Sequence, residues 1–162
     1  MSISVRLKEY MDKNNAVYIV MSHALAATAQ GVASALHIGG RAMAKAVVVH
    51  VEEGQDTILA VLPTCYHVDL KKLGKILGKS VRLATEDEFA KLFPDCELGA
   101  MPPFGHLYGL PVYVDESLAE DPEIVFNAGT HREAIRMRFE DFKRLAQPVI
   151  CSFVGKVSHE NG

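Results

Sequence analysis

Two spacings of apolar residues divide the chain into helices and strands. Between residues 2 and 14, Val5, Leu7 and Met11 recur near helical spacing with charged residues between them, which predicts a helix. The run AVYIVM at 16–21 is short, apolar and rich in β-branched and aromatic residues, so we expect a buried strand there. The same criteria predict further helices at 28–37, 69–78, 85–93 and 139–146. They predict further strands at 45–52, 57–62, 80–84, 110–114, 124–128, 133–138 and 149–154.

The order of these elements indicates the fold class. The strands at 45–52 and 57–62 flank a short polar turn and predict a β-hairpin. Thr85 and Glu88 form a capping-box pattern that begins a helix, and Pro94 ends it. Helices and strands are interspersed, but several strands follow one another as hairpins. The pattern therefore favours an α+β fold with a mixed sheet or partial barrel over a doubly wound parallel sheet.

Composition narrows the class of protein. The chain has 162 residues, is 49% hydrophobic and shows no internal break, so we expect one domain at 2–157 and a polar tail at 158–162. Its apolar runs fall far short of the roughly 20 residues that a membrane span needs, and its N-terminus has no apolar signal core. Cys65, Cys96 and Cys151 are odd in number and lack CxxC spacing. We therefore expect no disulfide framework or structural zinc, and a reducing, cytoplasmic location.

Charge is unevenly distributed along the chain. The net charge of −3 argues against a protein that grips nucleic acid by bulk electrostatics. One predicted helix and the strand after it are nevertheless basic, with a single acid, Asp69. The basic residues are Lys71, Lys72, Lys75, Lys79 and Arg82. This segment is either solvated surface or a small patch for the phosphates of an RNA end, and both interpretations remain open.

Residues 99–106 (GAMPPFGH) are the most informative stretch for chemistry. Two glycines and two prolines make an irregular, tightly bent backbone. Proline has no amide hydrogen, so the hydrogen-bond donors are concentrated at 99–101 and 104–106. Such amides can face a carbonyl oxygen that gains charge during acyl transfer. The alternative is a plain connector between a helix and a strand.

Lys45 and a polar turn are the other candidates. Lys45 begins an apolar strand, where its ammonium can hold a phosphate or a carbonyl oxygen in a cleft or can simply extend to water. The turn at 127–133 contains Gly129 and places His131 at its tip, where a histidine can bind a ligand. The seven histidines show no HExxH pattern, and no GxxxxGK[ST] or GxGxxG is present. We therefore expect no metal or nucleotide cofactor.

These stretches, taken in order, point to a known family. The matching residues are Thr28 and Ala29 at the head of the Ala-rich helix, Lys45 opening KAVVV, the GxxxP loop from Gly99 to Pro103 with Phe104 and Gly105 after it, and the turn and strand NAGTHREAIRM. In this order and spacing, from about residue 17 to 154, the chain resembles the YbaK-type aminoacyl-tRNA deacylases, relatives of the editing insertion domain of bacterial prolyl-tRNA synthetases. Ala46 after Lys45, and the residues Met43 and Met101, do not assign the chain to a subgroup.

The resemblance implies a fold, an activity and a set of site residues. It implies a single α+β domain with a mixed, barrel-like sheet surrounded by helices. The implied activity is trans-editing, in which a wrongly attached small amino acid is hydrolysed from the acceptor end of tRNA without a cofactor, and a synthetase partner is left open. The implied catalytic residues are Lys45, Gly99, Ala100, Met101 and Gly105. The implied substrate-binding residues are Thr28, Met43, Pro103, Phe104, His106, Gly129, Thr130 and His131.

An aminoacyl ester is already activated, so its hydrolysis needs positioning and oxyanion stabilisation more than a strong nucleophile. Lys45 would neutralise the terminal phosphate or the developing charge, and the loop amides would orient the carbonyl and the attacking water. Two alternatives remain. One is a non-catalytic module that binds an aminoacyl-tRNA end, an amino acid or a nucleotide. The other is a hydrolase of another small ester or amide that uses Cys65 or His106.

Overall fold

The computed structural model describes residues 4–22, 43–52, 56–97 and 99–156 and has an α+β fold. Its α-helices are α1 (Val5–Lys13), α2 (Leu70–Leu77), α3 (Glu86–Leu92) and α4 (Phe139–Ala146). Short 3₁₀ turns cover Gly105–Tyr108 and Glu116–Glu120. The predicted helix at 28–37, which includes Thr28, and the predicted tail at 158–162 lie outside the described residues.

The strands follow the prediction closely. They are β1 (Tyr18–Ser22), β2 (Ala44–Val51), β3 (Asp56–Pro63), β4 (Tyr66–Val68), β5 (Val81–Leu83), β6 (Val112–Asp115), β7 (Glu123–Asn127), β8 (Glu133–Arg138), β9 (Val149–Cys151) and β10 (Val154–Lys156). The sequence did not predict β4, which has only three residues. It predicted one strand at 149–154, whereas the structure has two. The strand breaks because Phe153 is buried between them and donates its amide to Asp115 Oδ1 at 2.9 Å.

Local side-chain chemistry sets the helix starts. Asp69 accepts hydrogen bonds from the amides of Lys71 and Lys72 and so caps α2. The predicted capping box of Thr85 and Glu88 is confirmed at the start of α3.

The strands are arranged in three sheets within the described residues. A five-stranded mixed sheet has the order β5-β2-β3-β6-β9, a three-stranded antiparallel sheet has the order β1-β8-β7, and β4 pairs with β10. The β2–β3 hairpin is confirmed, with Lys45 opposite Leu62. A single parallel bridge from Met43 to Val125 connects the two larger sheets. The mixed sheet is therefore as predicted, but these sheets do not close into one continuous barrel.

The five-stranded sheet separates two hydrophobic cores. The large core, which contains Phe104, Phe126 and Phe142, also receives Ala44 and Val48 of β2. The small core contains Leu73 and Phe153 and receives the alternate β2 residues Val49 and Val51. Successive strand residues point to opposite faces, so the even-numbered residues of β2 face the large core and the odd-numbered residues face the small core.

The first strand differs from the prediction in its burial. Ile19 is 57% exposed and Val20 is 42% exposed, so the expected buried strand is only partly covered. β1 lies at the edge of its sheet and packs Tyr18 against the large core. An edge strand with one covered side needs fewer buried positions than its apolar sequence suggested.

Candidate functional site

Lys45 is a partly buried cation at the start of β2. It shares its face of the strand with Val49 and Val51, so its side chain leaves the sheet on the side of the small core. Burial lowers the pKa of the Lys45 ammonium, and the electrostatic influence of Cys65 acts in the opposite direction. Cys65 is half-buried in the turn after β3. A partly desolvated cation interacts more strongly with an anion than a fully hydrated one does.

Two buried residues extend this face onto the neighbouring sheet. Met43 is fully buried and bridges Val125 of β7 in parallel. Lys45 and Asn127 each lie two residues beyond that bridge in the same chain direction. Asn127 is only 4% exposed, and its Oδ1 accepts no hydrogen bond from any described residue. A buried acceptor without a donor is costly, which makes Asn127 a position suited to a ligand.

The end of β7 is joined to the glycine- and proline-containing loop by backbone hydrogen bonds. The Gly129 amide donates to Ala100 O at 2.9 Å, and the Glu97 amide donates to Gly129 O at 2.7 Å. Glu97 Oε1 also accepts the His131 amide at 3.1 Å. These hydrogen bonds therefore tie the turn at 129–131 to Glu97 and Ala100 of the loop, next to Asn127.

The loop amides are not equivalent. Ala100 donates its amide to Glu97 O at 3.0 Å, so this donor is already engaged inside its own turn. Neither Gly99 nor Met101 donates its amide to another described residue. Among the described residues, these two amides of the 99–101 segment are therefore the ones without an acceptor.

Several predicted site residues have buried side chains. Met101 and Phe104 are part of the large core, with exposed fractions of 6% and 0%. Pro103 is buried beside them. A Cβ atom on Gly105 would lie 2.6 Å from Leu110 O, so this glycine is required by close packing. These residues fix the path of the loop from inside the protein.

The turn residues are also largely buried. Thr130 is 2% exposed and accepts the Arg132 amide on its Oγ1 at 3.3 Å. Gly129 has a φ of +94°, and a Cβ atom there would lie 3.1 Å from the Ser4 Cβ. Only glycine adopts this conformation readily at such a close contact.

His106 lies away from this group. Its ring packs edge-on against Tyr10, with 4.7 Å between the ring centroids. It borders a cavity of about 280 Å³ whose other lining residues include Leu110 and Leu145 of the large core. Burial lowers the pKa of His106. The structure thus places His106 on the large-core side of the sheet, whereas Lys45 leaves the sheet on the other side.

A cluster of four polar side chains, from Ser4, Asp95, Cys96 and Tyr108, lies at the two ends of the glycine- and proline-containing loop. Asp95 accepts a hydrogen bond from Ser4 Oγ at 2.7 Å, and Cys96 Sγ lies 3.3 Å from the Tyr108 hydroxyl. Burial raises the pKa of the Cys96 thiol to about 11, so it stays protonated at neutral pH. Cys96 is therefore a structural residue of this cluster.

Comparison with known proteins identifies the family. The protein-family model described as the aminoacyl-tRNA editing domain matches residues 23–145 of this chain. The chain belongs to this family. The resemblance predicted from the sequence is thereby confirmed. The predicted class of enzyme, an aminoacyl-tRNA deacylase, is confirmed as well.

Individual relatives agree with this assignment. The editing domain is 31% identical to the multifunctional Ser/Thr-tRNA deacylase ProXp-y of Escherichia coli K12 over 155 residues, which cover 91% of this chain and 90% of the relative. A crystal structure assigned as a trans-editing enzyme for prolyl-tRNA synthetase superposes with a TM-score of 0.79 at 25% identity, covering 94% and 96% of the two chains. A crystal structure of a hypothetical protein shares the fold, with a TM-score of 0.84 at 16% identity over 93% and 99% of the chains.

Sequence reasoning missed two residues of the editing domain that the structure brings to the site. Asn127 was visible as a polar residue at the end of an apolar strand, which is a usable signal. Glu97 carries no local signal, because its role depends on a turn that is distant in sequence. Within the described ranges no His, Cys, Asp or Glu cluster is arranged to hold a metal ion. No helix in those ranges has the length and apolarity needed to cross a membrane.

Proposed function

We propose that this editing domain acts in trans and hydrolyses the ester between a wrongly attached small amino acid and the terminal ribose of tRNA. Serine and threonine are the first candidates, because the Escherichia coli relative is named for these two amino acids. Alanine and cysteine are the next, since a pocket excludes larger side chains by steric clash. A synthetase partner is part of the proposal because one structural relative is assigned to prolyl-tRNA synthetase.

The backbone connection from β2 through β7 to the loop carries the assignment of the site. The Met43–Val125 bridge aligns Lys45 with Asn127, and the hydrogen bond from Gly129 to Ala100 brings the loop to the end of the same strand. Adjacent strands lie about 5 Å apart, so a side chain as long as lysine spans the gap easily. These contacts support the proposal that the Lys45 ammonium, the Asn127 side-chain amide and the backbone amides of the loop act on one ester.

The chemistry follows from these groups. Water attacks the ester carbonyl carbon and gives up a proton, and the carbonyl oxygen becomes negatively charged. Lys45 and the amides of Gly99 and Met101 stabilise that charge or the adjacent phosphate. With water as the nucleophile, the bond from carbonyl carbon to ribose oxygen then breaks. The amino acid leaves as a carboxylic acid, and the ribose oxygen takes up a proton.

Asn127 supplies a second contact in this proposal. Its unpaired Oδ1 accepts a hydrogen bond from the α-amino group of the attached amino acid. A buried acceptor that is satisfied only by substrate rejects analogues that lack the donor. Asn127 therefore distinguishes a free α-amino group from a blocked one.

The first experiment measures release of serine, threonine, alanine and cysteine from misacylated tRNAs. We expect Lys45→Ala to reduce the rate by about 100- to 1,000-fold, the range found when one oxyanion donor is removed. Lys13→Ala is the matched control, because Lys13 is an exposed lysine on α1, which packs on the large core. If the wild-type protein releases none of the four above the buffer rate, the proposed function is wrong.

The second experiment tests Asn127 with N-acetylated aminoacyl-tRNA. The wild-type protein should hydrolyse the acetylated ester much more slowly than the free one. Asn127→Ala should lose most of this preference, because it removes the acceptor that reads the amino group. A variant that merely disturbed packing would slow both substrates equally, and that result would remove Asn127 from the site.

A further inference from the structure

A groove lined by three lysines runs beside α2 and β5. It has a volume of about 640 Å³, and its lining includes Lys71, Gly74, Lys75, Gly78, Lys79 and Val81. Lys71 and Lys75 are four residues apart and share one side of α2. The chain turns sharply after the helix, and the Lys79 amide donates to Gly74 O at 3.0 Å. This turn places Lys79 beside the last turn of α2 and completes the basic lining.

Acidic residues lie near the groove but do not line it: Asp56 shares a neighbouring cavity with Lys79, and the Glu52 amide donates to Ser80 O at 3.0 Å. None of the described residues that line it is acidic. Lys71, Lys75 and Lys79 form no ion pair with any described residue. The neighbouring Lys72 differs, because its Nζ donates to Val154 O at 3.1 Å and is held against β10. The groove is therefore a concentrated positive site on a chain whose net charge is −3.

The groove lies on the same side of the five-stranded sheet as Lys45. Leu73 of α2 anchors the helix in the small core, the side on which the Lys45 side chain leaves β2. Val81 at the far end of the groove pairs with Val51, six residues along β2 from Lys45. At 3.3 Å per residue this separation is about 20 Å. A nucleic-acid strand rising 3.4 Å per nucleotide covers that distance in about six steps.

We infer that this groove binds the sugar–phosphate backbone of the tRNA acceptor end while the terminal ester lies at Lys45. The inference rests on the proposed function and adds the surface that holds the substrate. Lysine suits this role because it contacts phosphate as a point charge without reading sequence. Such a local contact also explains how a protein with a negative net charge binds a polyanion.

The experiment measures binding of uncharged tRNA by fluorescence anisotropy between 50 and 200 mM KCl. One variant combines Lys71→Gln, Lys75→Gln and Lys79→Gln. Its control combines Lys13→Gln, Lys91→Gln and Lys143→Gln, three exposed lysines on helices that pack on the large core, so the net charge changes equally. Each phosphate contact contributes about 0.7 to 0.9 to the slope of log affinity against log salt.

We expect the groove variant to lose about two to three units of this slope, and the control variant to lose almost none. Between 50 and 200 mM KCl, the affinity of the groove variant should therefore fall about 16- to 64-fold less than that of the wild type. In deacylation assays KM should rise in the groove variant while kcat at saturating tRNA stays unchanged, because the lysines do not touch the ester. Should the triple variant fail to fold, Lys75→Gln alone should lower the slope by about 0.7 to 0.9.

Three results would overturn the inference. Equal loss of slope in both variants would show a general effect of charge. An unchanged slope with loss of binding to a synthetase would assign the groove to a protein partner. Absence of tRNA binding by the wild-type protein would also refute it. Because the tRNA is uncharged, the slope is measured whether or not the protein hydrolyses any ester, so the groove and the activity fail separately.

Discussion

Replacing Phe104 by alanine tests whether the loop is fixed from inside the protein. Phe104 is 0% exposed, and its ring lies 5.5 Å from that of Phe126 and 5.6 Å from that of Phe142, both in T-shaped contacts. Truncating a buried phenylalanine costs about 3 to 5 kcal/mol of stability. For a domain of this size, that loss corresponds to a fall in Tm of about 6 to 20 °C.

The assay is urea unfolding followed by far-UV circular dichroism, since the chain has no tryptophan. An unchanged m value would show that the midpoint reports stability alone. Phe104→Leu is the control, because it keeps most of the buried volume and should cost clearly less than alanine. A cost below about 1 kcal/mol for Phe104→Ala, together with a raised KM, would contradict this reasoning and make Phe104 a substrate contact.

Three further predictions concern the support of the site and its response to acid. Gly129→Ala should lower stability by roughly 1 to 3 kcal/mol in thermal unfolding, because of its φ of +94° and the 3.1 Å contact to Ser4; an unchanged Tm would contradict this. Glu97→Ala should lower kcat and Glu97→Gln should restore most of it, because the His131 amide needs an acceptor; equal effects of the two changes would argue against it. A hydrogen bond from Arg82 is the main cause that lowers the pKa of Glu88 from 4.5 to about 2. The ionised Glu88 carboxylate therefore stabilises the folded state above pH 4.5, and this stabilisation is lost as the pH falls towards 2. In acid titrations Arg82→Gln should therefore lose less stability over this range than the wild type, and parallel curves would refute the assignment.

Most of the fold was predictable because its signals are local. The helices α2, α3 and α4 begin and end within a residue or two of the predicted bounds, since caps and periodicity lie in the segment itself. The strand at 149–154 could not be divided from the sequence, because its break depends on Asp115, which is 38 residues away. The burial of β1 was wrong for a similar reason, since edge position is a property of the whole sheet.

The candidate site was less predictable than the fold. Lys45 and the loop stood out by residue type, but residue type alone could not separate groups that face a substrate from groups that fill the core. Met101 and Phe104 belong to the core, and the Ala100 amide is engaged inside its turn. Their placement follows from packing between distant segments, which no spacing along the chain records.

The long-range contacts around the site have a consequence for how the protein acquires activity. The Tyr10 hydroxyl donates to Leu145 O across 135 residues of sequence, and Ser4 at the start of α1 is held by Asp95, 91 residues later. Contacts of this kind form only after most of the chain is available, and they slow folding relative to local ones. During synthesis on the ribosome, the deacylase should therefore remain inactive until α4 has emerged, because Phe104 of the loop packs against Phe142 of that helix.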